Sequence, residues 1–349
     1  MKSWLYIIHI LVVVGGCTAS ISENPAAPPS MGSGSYIAER PLEDLYDFIL
    51  IDPRGPNSIN IEQASTVLNT YDVIFLGEIH QHPGNHLAQM RLFRELHEKN
   101  NNLTLSLEQF ERDVQMVVDD YLAGKIGEAT MLKEARAWDN YPNSYRPLLE
   151  YAKDNNLPVI ASEAPTALVR CVGQEGLGIL DRLPLDYRTW IASKLHLHDG
   201  PYKEKFFRFA AMDHGHGGKN EETKGPSQAA LRSFAAQVAR DDTMAESIFL
   251  HLENNPGRTV THLSGAFHSA GFLGTVERLG LRNPSLRLAV VHPLMVDDPW
   301  KPSVTTSSLK KGTFLLLLRS LPMSYSNEKE IRAASHAQME FRNENRCEF

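Results

Sequence analysis

The 349-residue chain lacks the features that mark several large classes of protein. It has no excess of positive charge: the formal net charge is −7 and the isoelectric point about 6.1, which leaves no electrostatic footprint for nucleic acid. Cysteine is scarce, three in all, so no disulfide framework carries the fold. Beyond the N-terminus no apolar run approaches the ~20 residues that cross a bilayer, so the body does not span a membrane. No internal repeat is evident, which argues against a solenoid or propeller. His-Glu-x-x-His and Gly-x-Ser-x-Gly are both missing, and with them two common hydrolase classes.

What is present begins at the N-terminus. Lys2 supplies a basic start, and Leu5 to Val14 is apolar except for His9. That run is too short to span a membrane and right for a signal peptide. It ends in Val14-Gly15-Gly16-Cys17, which resembles a bacterial lipobox, with the Cys17 thiol as the nucleophile that takes the lipid. The expectation is a signal peptide over 1–16 and an acylated Cys17 anchored in the bilayer by several chains, the alternative being ordinary secretion with cleavage near Ala19. Thr18 after the cysteine points to the outer membrane of a bacterial cell envelope. Residues 17–41, rich in Ser, Pro, Ala and Gly, read as a flexible tether with a reach of about 25 Å. Cys171 and Cys347 remain, and in an oxidising compartment they can pair. Residues 324–349 read as a polar, helix-prone, loosely attached tail.

From 42 to 323 short apolar runs alternate with longer amphipathic segments. This predicts an α/β fold, a mainly parallel sheet flanked by helices, with a smaller helical lid over 181–225. The expected strands are Val73–Leu76, Leu103–Leu107, Pro158–Ala161, Thr259–Leu263 and Leu286–Val291, with Thr313–Leu318 an edge strand. Helical periodicity marks Asn85–Glu98, Arg112–Leu122, Tyr145–Asn155, Gln228–Leu252 and Gly271–Leu279.

Polar residues follow each strand. Glu78 and His80 follow the first, Glu108 the second, Glu163 the third, His268 the fourth and His292 the fifth. The carboxyl ends of parallel strands form the ligand crevice of an open α/β sheet, so these residues are expected to meet there. Gly77 is read as the residue that lets the chain turn after the first strand. Two apart on an extended chain, Glu78 and His80 point the same way, and a carboxylate beside an imidazole orients it or raises its basicity. His82 is expected to solvate the loop, and His86 to open the next helix.

Gly77-Glu78-Ile79-His80 with His86 and Gln89 resembles the opening motif of the ChaN family of haem-binding lipoproteins, in the Tiki/EreA-like superfamily. The resemblance runs on through Leu107-Glu108-Gln109-Phe110 and the stretch from Trp138 to Tyr151, with Tyr145, Pro147 and Ala152. It continues through Ala164-Pro165, Gly176-Leu177, Ala236-Gln237, Asp241-Asp242-Thr243-Met244-Ala245 and Ser264-Gly265-Ala266-Phe267-His268. It covers about 71–292, most of the folded chain. It departs at Glu163, where Asn is expected, and at Thr166, where a basic residue is usual.

The resemblance implies a haem-binding protein of iron acquisition, an outer-membrane haem receptor as partner, and a haem-linked homodimer around two stacked haems. A tyrosine ligates iron there and a histidine is contributed across the pair. Ferric haem needs an apolar slot, an axial ligand and groups for its propionates. The stretch from Tyr202 to Phe209 offers them, so Tyr202, or else Tyr187, is the expected ligand, with His214 or His216 beside it. The alternative is a hydrolase. Glu78, His80, Glu108 and His268 suit a divalent metal with an open position, or a general-base mechanism on His80. A third reading is a degenerate module whose buried His and Glu serve only as satisfied polar groups.

Overall fold

The computed structural model describes residues 36–55, 57–213, 225–327, 329–334, 336 and 346–347. Its strands are β1 (Tyr36–Ile37), β2 (Phe48–Asp52), β3 (Asn57–Ile59), β4 (Val73–Glu78), β5 (Leu103–Glu111), β6 (Val159–Glu163), β7 (Thr259–Gly265), β8 (Leu288–Val296), β9 (Ser303–Val304) and β10 (Phe314–Arg319). The main sheet runs β3-β2-β10-β8-β4-β7-β5-β6, and β1 and β9 form a separate pair. From β10 to β6 every neighbour is parallel, while β2 and β3 join antiparallel at one end. The fold class expected from the alternating pattern is therefore the one observed.

Between the strands lie α1 (Ile61–Leu68), α2 (Pro83–Lys99), α3 (Gln115–Leu122), α4 (Glu128–Glu134), α5 (Tyr141–Ser144), α6 (Arg146–Asp154), α7 (Thr166–Glu175), α8 (Leu185–Thr189), α9 (Pro201–Asp213), α10 (Gln228–Asn254) and α11 (Thr275–Arg282). Side chains alternate across a strand, and here the alternation sorts two cores. Ile74, Leu76, Leu105, Leu107 and Val291 pack on one face against Leu92 and Phe93 of α2 and Leu148 and Leu149 of α6. Val73, Phe75, Val260 and Val290 pack on the other against Ala245 and Ile248 of α10 and Val276 and Leu279 of α11. Burial on both faces explains the apolar runs of β4 and of β8 up to Val291, while β5 and β7 bury Thr104, Ser106, Thr261 and His262 among their apolar residues.

Several expectations need correcting. β10 is not at an edge: it lies between β8 and β2, because the segment 48–52, unassigned from the sequence, supplies the outer strands with 57–59. His292 does not follow its strand, since β8 continues to Val296. Gly77 lies inside β4, and what requires it is close approach of β8: a Cβ there would stand 2.7 Å from Cδ of Pro293. The fold also starts before 42, because β1 already pairs with β9. Over 181–213 the expected lid is a short helix, an irregular stretch and α9, whose Tyr202 packs with Phe234 and Val238 of α10. Cys171 and Cys347 form a disulfide, which ties the tail to α7.

Candidate functional site

Two networks occupy opposite faces of the sheet at the carboxyl ends of its strands. Glu78, the last residue of β4, shares its face with Ile74 and Leu76 and its side chain is fully buried. One carboxylate oxygen accepts from the Tyr145 hydroxyl at 2.5 Å and from Nδ1 of His80 at 2.6 Å. The other accepts from Nε2 of Gln109 at 3.2 Å. The first turns of α2 hold this corner. Asn85 accepts from the Ile79 backbone N–H and donates to the Gly77 carbonyl, and Gln89 donates to the Leu76 and Gly77 carbonyls. His86 stands with Nε2 3.8 Å from Glu78, and burial lowers its pKa.

The hydrogen bond with Glu78 raises the pKa of His80, and the bond fixes Nδ1 toward the carboxylate so that Nε2 faces away from it. The ring is 49% exposed and stands edge-on to Trp138, with centroids 5.4 Å apart. Nε2 lies over the backbone of Gly265, where any Cβ would come within 3.1 Å of it. In register, Gly265 is the neighbour of Glu78.

On the other face Glu108 accepts from the Gly265 backbone N–H at 2.6 Å and lies 3.5 Å from Nε2 of His268. Nδ1 of His268 meets Asp241 of α10 at 2.8 Å. Asp241 also accepts from the hydroxyls of Thr275, at 2.9 Å, and Tyr202. Burial works against an imidazolium at 268, but Asp241 and Glu108 outweigh it and push His268 up to about 9. The two networks meet at Gly265, between the His80 imidazole and the Glu108 carboxylate.

Glu78, His80, Glu108 and His268 are thus brought to one edge, as expected. They do not converge on a cation: among the described residues no group of three or more His, Cys, Asp or Glu can hold a metal ion. The physical reason is the pleat, which sends Glu78 and Glu108 to opposite faces, with both oxygens of Glu78 and one of Glu108 taken by donors of their own. The divalent metal expected as an alternative cofactor therefore has no site in this arrangement of the described residues.

Other placements also differ from expectation. His82 is fully buried, not a solvated loop residue: it caps α2 by accepting from the Asn85 N–H, and Nε2 donates to the Arg319 carbonyl at 2.7 Å. Glu163 accepts from the Ala164 N–H at 2.6 Å and from Arg240 at 2.9 Å, and burial pushes it up to about 7. His292 is buried inside β8, and burial pushes it down to about 3, which keeps it neutral. Tyr202 is 2% exposed and gives its hydroxyl to Asp241, so its phenol is a wall residue in this arrangement and not one offered to a ligand. Tyr187 is half-buried against Trp190, beside the apolar cluster that contains Cys171. His214 and His216 lie outside the described residues. Tyr145, Gln109 and Asp241 acquire roles that the sequence had shown only as parts of motifs; Arg240, which binds Glu163, carried no such signal.

A family model described as haem-binding uptake, Tiki superfamily, ChaN matches residues 65–279. Among solved structures, ChaN of Campylobacter jejuni, reported for cofacial haem binding, superposes with a TM-score of 0.58 at 16% identity, over 80% of this chain and 100% of that one. At that identity the likeness shows the fold alone. An open-conformation erythromycin esterase, EreC, gives a TM-score of 0.41 at 11% identity, over 76% of this chain and 82% of its own, too distant to carry an argument. Protein RETICULATA-RELATED 5, chloroplastic, of Arabidopsis thaliana is 28% identical over 112 residues, 30% of this chain. The chain spans only 15% of the length of that plant protein.

Proposed function

The chain belongs to the haem-binding uptake family ChaN of the Tiki superfamily, and from that premise we propose that it binds ferric haem, with His80 facing the iron. The observation that carries this reading is the half-exposed imidazole itself. Its Nδ1 is held by a buried carboxylate, and no described residue hydrogen-bonds Nε2. A carboxylate behind the far nitrogen is the usual way a protein orients a histidine toward a metal. Trp138 supplies an apolar wall beside the ring. Haem brings the iron and its ligand exchange, and this chain brings the axial donor, its orientation and the surrounding apolar surface.

The cellular setting belongs to the same proposal. Cys17 tethers the domain to the outer membrane, and the protein serves haem-iron acquisition, receiving haem from or passing it to a receptor as a haem-linked homodimer. The Cys171–Cys347 disulfide supports residence in an oxidising compartment. A titration with ferric haem, followed by absorbance and sedimentation, tests the reading. It expects saturation near one haem per chain, lost in His80→Ala; weak, unsaturable uptake would remove it.

A second reading, hydrolysis, is favoured by the half-exposed His80, whose Nε2 lies over the Gly265 backbone beside the Glu108 carboxylate. Here His80 acts as general base on water beside Gly265, and Glu78 holds its tautomer. His80→Ala would then abolish ester or amide cleavage, and a wild-type protein inert on a broad substrate panel would dismiss it.

A further inference from the structure

A cleft opens at the outer edge of the sheet, separated from β4 and its network by β8 and β10. It is lined by the β2–β3 pair and by α2, and its volume of about 610 Å³ falls within the ~300–1,000 Å³ of small-molecule sites. Phe48 and Leu50 share one face of β2, and Ile59 of β3 stands beside Leu50 in register. With Ile61 and Leu87 they give the cleft an aliphatic floor around one aromatic ring.

The charged and amide groups of the rim are committed to one another or to backbone, with one exception. Asn60 and Gln63 close the cap of α1 reciprocally, at 2.8 and 2.9 Å. Asp44 accepts from the backbone N–H groups of Tyr46 and Asp47, at 2.7 and 3.0 Å. Asp47 accepts from the Glu43 N–H at 2.6 Å and faces Arg40 at 3.7 Å, while Arg40 donates to the Phe48 carbonyl at 2.7 Å. The exception is Arg91, one turn along α2 from Leu87. Its guanidinium carbon stands 5.8 Å from the centre of the Phe48 ring, and no described residue accepts a hydrogen bond from it or pairs with its charge. An arginine held over an aromatic ring keeps its planar fork of donors free for an incoming carboxylate.

The free valence of the cleft is thus cationic and stands above an apolar floor. A ligand that matches both is an anion with an apolar body, and a concave floor suits a single chain that enters it, not a flat bilayer face. We infer that this cleft binds a single-chain amphiphile of the fatty-acid class, its carboxylate paired with Arg91 and its hydrocarbon lying on Phe48, Leu50, Ile59 and Leu87. The site needs neither haem nor the strand-end networks.

Calorimetric titration of the full chain with dodecanoate, below its micelle threshold, tests the site. The chain carries Cys17→Ser, which keeps acyl chains of its own from competing. Saturation near one molecule per chain is expected, with affinity falling about 10-fold for each two methylenes removed from the probe. Arg91→Gln, at an exposed position, should weaken dodecanoate about 10-fold and leave neutral dodecanol unchanged. Leu87→Ala should weaken acid and alcohol alike, about 5-fold, because it touches the chain and not the head. A merely structural role of either residue does not produce that crossed pattern. Absent saturation, or equal loss of acid and alcohol in Arg91→Gln, overturns the site. Dodecanoate binding that survives Arg91→Gln and is lost in His80→Ala overturns it too, and moves the amphiphile to the strand ends. So does sedimentation with phosphatidylglycerol vesicles in the absence of dodecanoate saturation, which would make Arg91 part of a lipid-facing surface.

Discussion

The two networks at the sheet edge hold their carboxylates by different means. Glu78, on the α2 and α6 side, is surrounded by neutral donors, Tyr145 and Gln109, and by one imidazole that reaches toward solvent. Asp241, on the α10 side, is fully buried against an imidazole that is itself 7% exposed and charged. A carboxylate held by neutral groups leaves its histidine available to a ligand. A carboxylate locked to a buried imidazolium stores charge, and both partners depend on it. The first arrangement suits recognition, the second rigidity.

The comparison breaks most visibly at Asp241. Asp241→Ala leaves His268 without its counter-ion and strips Tyr202 and Thr275 of their acceptor. A loss of about 3–5 kcal/mol of unfolding free energy is expected by denaturant titration; a loss under ~1 kcal/mol would mean the pair is not charged. The pH dependence sharpens the same point. The folded-state pKa of His268 is raised to about 9, against ~6.5 when unfolded. Its contribution is therefore fully present below pH ~6.5 and lost as pH rises through about 9, up to roughly 3 kcal/mol. Asp241→Asn should flatten that slope, and an unchanged curve would place the proton elsewhere. Tyr145→Phe removes one neutral donor from Glu78, and thermal unfolding should register about 1–2 kcal/mol, a smaller effect than at Asp241. His80→Ala, at the half-exposed end, should shift stability by less than about 1 kcal/mol while abolishing the absorbance signature of bound haem. Equal destabilisation by His80→Ala and Asp241→Ala would erase the distinction.

Much of this was legible before any coordinates. Of the six parallel strands, β4, β8 and β10 announced themselves as Val-, Ile- and Leu-rich runs, as burial on both faces requires, while β5 and β7 alternate apolar residues with buried Thr, Ser and His. The polar residues after the first, second and fourth runs pointed to one sheet edge, and Glu78, His80, Glu108 and His268 do gather there, whereas His292 lies inside β8. Phe48–Asp52 was not legible: it sits near a Pro- and Ser-rich stretch and is a strand only because β10 offers it an antiparallel edge. Tyr202 misled because an aromatic beside lysines and phenylalanines looks like a ligand platform, whereas its hydroxyl is consumed by Asp241, 39 residues away.

The sequence by itself determined the period of each element, hence the α/β class, and the order in which acids and imidazoles leave the strands. Those properties are local, set by which residues repeat every two or every 3.6 positions. Only the tertiary structure decided which carboxylate faces which histidine. That choice depends on the register of β4 against β7 and on the pleat that turns Glu78 toward α2 and Glu108 toward α10. A one-residue slip of either strand would exchange the faces without altering a single local signal.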